Sequence, residues 1–303
     1  MPVPYHGEAE AEHRVLRGLQ LAVELSLIVL VIESVGAYYS RSLSLTVDAV
    51  HNVPDLLAFS LSWTAIRTSS KGATAQFTFG AHRLETFAGL ANAALVLGAG
   101  GAFGYAAVSN LLTGSSFAGP VDPVWLVAAA LPTLVLRGAN LTMLRRNPDR
   151  VRDLNLSSVL VHLASDLAIT GALLATGVVL VLRPGLAWAD PLAALLIAGI
   201  LVWESLPLFR DGWDVLTERT PRNLSVEAIT RSALSVPGVA EIHDVHVWAV
   251  CSSLVCLTAH VGVREMTLQD ATSVVSQIRQ RMGTEFGIVH STFEVECLPA
   301  ATG

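Results

Sequence analysis

Six membrane-crossing helices followed by a compact α+β domain are what the sequence predicts, and three features carry that prediction. The chain is 52% hydrophobic and 15% charged, with a mean hydropathy of +0.55, where a soluble chain carries about a quarter charged residues. Its charges are segregated: none occurs between Thr86 and Val121, while the last eighty or so residues mix polar and apolar positions as a soluble domain does. Two of the apolar stretches also carry a His and an Asp four residues apart.

In chain order, residues 1–13 (MPVPYHGEAEAEH) are acidic and lack the basic segment and cleavage site of a signal peptide, which predicts a short disordered tail. A transport-type helical domain is expected over 14–210, with apolar segments at about 15–38, 43–66, 85–111, 122–144, 154–182 and 189–209. Loops on one side hold nine basic residues, among them Arg67, Arg83 and Arg150, against Arg41 and Arg183 on the other, so both termini are expected in the cytoplasm. Glu24, Glu33 and Arg137 fall inside apolar segments, and a Glu–Arg pairing within the bundle is the expected use. A polar, Pro-terminated linker follows at 211–221. Over 222–303 the order is helix, two alternating strands (IHDVHVWAV and LVCLTAHVGV), a capped amphipathic helix ending at Gly283, and a last strand, VHSTFEVEC. That order suits a three-stranded sheet with helices on one face.

Some functions are excluded early. A formal net charge of −6 offers no basic face, so no nucleic-acid partner is expected. Cys251, Cys256 and Cys297 lack C-x-x-C spacing and read as small buried hydrophobes, and the four methionines are scattered.

The chemistry lies in LNLSSVLVHLASD and LTVDAVHNVPDLLAF. Residues four apart share a helix face, so His162 with Asp166, and His51 with Asp55, can each converge on one ligand. A lone intramembrane His is more often a helix–helix hydrogen-bond donor. A second costly pair in another apolar helix points instead to an N₂O₂ cage for a tetrahedral dication, with zinc first and cobalt or cadmium as alternatives. Two neutral imidazoles and two carboxylates balance a dication, and two imidazoliums balance the same carboxylates without it, so the cage suits metal/proton exchange. Asp48 is a candidate proton relay, with helix capping or a water-filled entrance as the other reading; Asp190 is expected to cap the sixth helix. Two rival functions remain: an intramembrane zinc hydrolase, disfavoured because four ligands fill the shell, and a membrane-anchored metal sensor or storage protein, which would not need four polar ligands at mid-bilayer depth.

These stretches, with ESVGAYYSRSLSLTVDAVHNVPDLLAF, FTFGAHRLETFAGLANA, WADPLAALLIAGILV and VPGVAEIHDVHVWAV, resemble the cation diffusion facilitators, the family of zinc and related divalent-metal transporters, over nearly the whole chain. The resemblance implies a homodimer in a lipid membrane, six helices per protomer, and a ferredoxin-like (metallochaperone-like) cytoplasmic domain. It implies a secondary transporter and not an enzyme, exchanging Zn²⁺ for protons by alternating access through His51, Asp55, His162 and Asp166. A multi-pass protein of a prokaryotic inner membrane fits this pattern. The resemblance also places cytoplasmic metal ligands at His243, His260 and His290, with Glu294 and Glu296 as further candidates and packing or surface roles as the alternative. Strand alternation is expected to put His243 and His246 on opposite faces, with Asp244 and Trp248 beside His246. Three features depart from the family pattern: a short loop RRNPDRVRDLN without a His-rich run, His82 as the one candidate ligand after the second helix, and Ala81 where Tyr is common.

Overall fold

A computed structural model of the chain describes residues 6–68, 78–80, 82–114, 119–145, 154–251 and 254–298. It contains α1 (His6–Ser40), α2 (Leu43–Thr68), α3 (His82–Thr113), α4 (Pro123–Arg145), α5 (Leu154–Leu182), α6 (Ala189–Leu216), α7 (Val226–Leu234), β1 (Val239–Cys251), β2 (Leu254–Val263), α8 (Leu268–Phe286) and β3 (His290–Cys297). Contacts divide it into two compact units, Met1–Gly72 with Asn92–Leu206 and Ala73–Ala91 with Pro207–Gly303.

In the first unit α1 packs on α2 and α4, and α5 packs on α4 and α2. Among the described residues, five helices are long and apolar enough to cross a membrane: α1, α3, α4, α5 and α6. The chain is an integral membrane protein. The remaining long helix, α2, has 26 residues and carries Asp48, His51, Asn52 and Asp55. Leu45, Leu126, Leu173, Ala194 and Ile197 form its dry core. Small residues set the closest approaches, as expected where apolar lipid offers helices no hydrophobic drive to associate. A Cβ on Gly36 would overlap Ala129 of α4, and one on Gly100 would lie 2.7 Å from Val202 of α6.

Three boundaries differ from expectation. The tail predicted at 1–13 is helical from His6 onward, because EAEAEH is rich in the strong helix formers Ala and Glu. α6 runs to Leu216, through half of the expected linker. α8 continues past Gly283 and stops at Gly287, whose φ of 69° supplies the left-handed cap that ends a helix.

Asp190, expected to cap α6, bonds instead to the start of α2. Its carboxylate accepts from the Leu43 and Ser44 amides at 2.8 and 3.3 Å and from the Ser42 and Ser44 hydroxyls at 2.5 and 2.6 Å. It therefore satisfies two of the orphan N–H groups opening α2 and sets an acidic side chain at the positive end of that helix.

In the second unit the sheet order is β1-β2-β3, with β1 antiparallel and β3 parallel to β2. Ile229 and Ala233 of α7 and Val274, Ile278 and Met282 of α8 cover one face, against Val247, Leu257 and Val261. Ser225 and Thr267 cap the two helices, accepting from the amides of Ala228 and Asp270 at 3.2 Å each. The uncovered face carries the histidines.

Candidate metal centres

α2 and α5 bring His51, His162 and Asp166 together inside the first unit. His51 Nε2 is 3.6 Å from Asp166 Oδ1, His162 Nε2 is 3.7 Å from Asp166 Oδ2, and the two imidazole centroids are 6.0 Å apart and nearly perpendicular. Separations of this size exceed a hydrogen bond, and Asp166 Oδ1, although buried, accepts none from the described residues. His51 and Asp166 are buried and His162 half-buried. Asp55 lies on α2 one turn beyond His51, with its side chain outside the described residues.

Beside these groups a buried polar network explains Arg137. Its Nη2 donates to Asn52 Oδ1 at 2.8 Å, and its Nη1 donates to the Asp166 carbonyl at 3.0 Å and to the Thr170 hydroxyl. The guanidinium also lies 3.3 Å from Asp48 and 3.4 Å from Glu33, both fully buried. Asn52 completes the ring by donating to Glu33 and, at 3.0 Å, to the Asp48 carbonyl. The expected Glu–Arg pair is thus present, and Asp48 is its second carboxylate. Arg137 ties α1, α2 and α5 to α4, next to the very turn of α5 that carries Asp166.

Sequence reasoning missed Glu204. This α6 residue accepts from Ser165 Oγ at 2.8 Å, and a nitrogen from each of His51 and His162 and a Glu204 carboxylate oxygen all lie within 4.8 Å of one another. The signal was a carboxylate inside an apolar stretch, fourteen residues after Asp190 and six before Arg210, the same kind of signal that pointed to Asp166.

The C-terminal sheet holds a second cluster. His243 Nε2 is 3.0 Å from Glu296 Oε2, and His260 Nδ1 is 2.8 Å from Glu296 Oε1. Hydrogen bonds from His260 and then His243 hold the Glu296 carboxyl below the usual glutamate range. His260 Nε2 also approaches Asp244 at 3.6 Å and Glu294 at 3.7 Å. Two imidazoles and a carboxylate at this spacing are a borderline-metal donor set.

Two expectations change here. His243 and His246 lie on one face of the sheet: His243 pairs with His260 and His246 with Thr258, two residues apart on β2, because an extra β1 residue is accommodated at Asp244 (φ 50°). Such a bulge shifts the alternation by one residue. His290 does not join the cluster, since its register partner is Cys256, four residues from His260, and its ring packs at 5.1 Å on Phe79. Glu296, opposite Gly262, is the carboxylate that lies with His243 and His260. The side chain of His82 lies outside the described residues.

Comparison with known proteins gives concordant matches. The cation efflux transmembrane domain matches residues 19–217, and the cytoplasmic domain of cation efflux proteins matches 221–297. The metal cation efflux system protein CzcD of Cupriavidus metallidurans is 28% identical over 93% of this chain and 87% of its own length. A cadmium, cobalt and zinc/H(+)-K(+) antiporter of Bacillus subtilis is 28% identical over 88% of this chain and 84% of its own. A probable proton-coupled zinc antiporter of Homo sapiens is 28% identical over 97% and 80%. Among solved structures, a metal-bound C-terminal domain of the CzcD transporter is similar to 24% of this chain and 99% of that one, with 29% identity and a TM-score of 0.22.

Proposed function

Because the chain belongs to the cation efflux family, the cation diffusion facilitators, we propose that it is a divalent metal antiporter exporting zinc from the cytoplasm in exchange for protons. The observation that carries this reading is the convergence of His51, His162 and Asp166 from two helices onto one buried point. Asp55, on the turn after His51, is the fourth ligand. The names of the relatives support proton-coupled metal movement and include zinc beside cadmium and cobalt. Two imidazoles with two carboxylates favour zinc over manganese or magnesium.

In the mechanism, neutral His51 and His162 accept cytoplasmic Zn²⁺ while the carboxylates neutralise it. After the site opens to the far side, the two imidazoles take up protons as the metal leaves. The returning site is then never a bare pair of charges in a medium of low dielectric constant. Arg137 keeps the α5 ligand turn in place throughout, as a fixed cation that does not exchange. In this reading both termini lie in the cytoplasm of a prokaryotic cell, in a homodimer joined through the C-terminal domain, whose His243, His260 and Glu296 offer a regulatory metal site.

The test is Zn²⁺ uptake into vesicles reconstituted with the pure protein and driven by a pH gradient. The wild type is expected to concentrate zinc and Asp166→Ala to lose uptake while staying folded. A hydrolase or an anchored sensor would move no zinc, and equal uptake by well-folded Asp166→Ala would remove that residue from the mechanism.

A further inference from the structure

Glu204 sits where the transport reading has no use for it. α6 is an apolar span from Ala189 to Leu216, and the nearest charged residues along it are Asp190 and Arg210. A carboxylate within a membrane-spanning stretch is costly unless it meets water, a partner or an ion. Its described partner is Ser165 of α5, whose hydroxyl donates to Oε1 at 2.8 Å. Ser165 is one turn from His162 on the same helix, and this bond holds the carboxylate beside the two imidazoles.

We propose that Glu204 is a further metal ligand, holding a divalent cation against His51 and His162 at the mouth of the transport site before it passes to Asp166. The three donor atoms lie within 4.8 Å of one another, and zinc bonds of about 2.0–2.1 Å in tetrahedral array require roughly 3.3 Å. A cation would close that gap by drawing in the Glu204 side chain. Burial gives the direction: Glu204 is exposed, the His162 side chain is 32% exposed, and those of His51 and Asp166 are 8% exposed.

Three protein ligands leave a fourth position for water, the arrangement of a site that exchanges its occupant. A cation that keeps both imidazoles and trades the Glu204 carboxylate for that of Asp166 moves inward without losing its shell. The ligand class is a borderline dication such as Zn²⁺, Co²⁺ or Cd²⁺. Resting on the transport role of His51 and His162, this adds the step that loads their site.

The experiment uses full-length protein in vesicles, with pH-gradient-driven Zn²⁺ uptake measured against Zn²⁺ concentration for the wild type, Glu204→Gln, Glu204→Asp, Ser165→Ala and Asp166→Ala. Glutamine keeps the acceptor for Ser165 but loses the charged donor. Glu204→Gln is expected to lower kcat/KM by about tenfold, the scale of a lost metal-site contact, mostly through KM and with an unchanged melting temperature. Glu204→Asp should recover most of the loss, and Ser165→Ala should raise KM less. A Glu204→Gln KM equal to wild type overturns the proposal, as does a loss matched by Ser165→Ala together with a drop in melting temperature, which marks a packing role. If instead the wild type fails to transport, or Asp166→Ala transports normally, the reading beneath fails and takes this step with it; the anomalous sample tells the two failures apart.

Discussion

In the helix bundle the imidazoles of His51 and His162 stand 3.6 and 3.7 Å from Asp166, whereas in the C-terminal sheet His243 and His260 bind Glu296 at 3.0 and 2.8 Å. The donors are of the same kind and their states differ. Hydrogen bonds already close the sheet cluster, and an arriving cation must displace them. In the bundle one buried Asp166 oxygen, Oδ1, accepts no hydrogen bond from the described residues. Burial runs the opposite way to satisfaction: the Asp166 side chain is 8% exposed and that of Glu296 37%. An unsatisfied buried carboxylate is expensive, and a site that must take up and release a dication in every cycle is one place where that cost has a use. The sheet cluster, closed and near water, suits slow occupancy and regulation.

Arg137 holds the backbone of the turn that carries Asp166, so replacing that residue should break the contrast most severely. Arg137→Met leaves Glu33 and Asp48 buried without their cation, a loss of about 3–5 kcal/mol for a broken buried pair. The melting temperature in detergent and the yield of folded protein should both fall sharply, with Arg137→Lys intermediate. A melting temperature equal to wild type would mean that the network does not hold the bundle.

A smaller effect is expected from His51→Asp, which hardens one donor and makes the open site more anionic. The preference for Zn²⁺ over Mn²⁺ in uptake should fall about tenfold, the usual scale for altered metal shells, with a changed pH dependence. An unchanged metal profile would show that His51 sets neither property.

The smallest effect belongs to the closed cluster. Because the folded Glu296 carboxyl titrates below its ordinary range, its stabilisation is complete above the unfolded value of about 4.3 and is lost as pH falls through the depressed folded value. Thermal unfolding of a fragment spanning 222–303 should therefore weaken toward acid, and Glu296→Gln should flatten that limb. Equal acid slopes would dissociate Glu296 from the two imidazoles.

Much of this was readable from local pattern. The i, i+4 spacing put His162 and Asp166 on one face, and the apolar run from Leu154 to Leu182 matched α5 end to end. What escaped depends on partners distant in sequence. Asp190 caps a helix that begins 147 residues earlier, and Glu204 meets the imidazoles only through the rotation of α6 against α5. The bulge at Asp244 shifts a whole strand face through one positive φ, which strict alternation does not anticipate. Gly283 resembled a helix stop, but only Gly287 takes the left-handed conformation. That Glu296 rather than His290 comes beside His260 follows from the parallel register of β3, which no residue of β3 announces by itself.

The most direct measurement is zinc bound per chain at equilibrium, taken beside uptake, in three versions of the full-length protein. The wild type is expected to fill both clusters. Asp166→Ala should lose all uptake and hold the bundle ion more weakly, on His51, His162 and Glu204 alone, while keeping the sheet ion. His243→Ala/His260→Ala should lose the sheet ion and keep most uptake, and His290→Ala should lose neither. Uptake that survives Asp166→Ala with bound zinc unchanged would contradict the account, because transport would then run through some other part of the molecule.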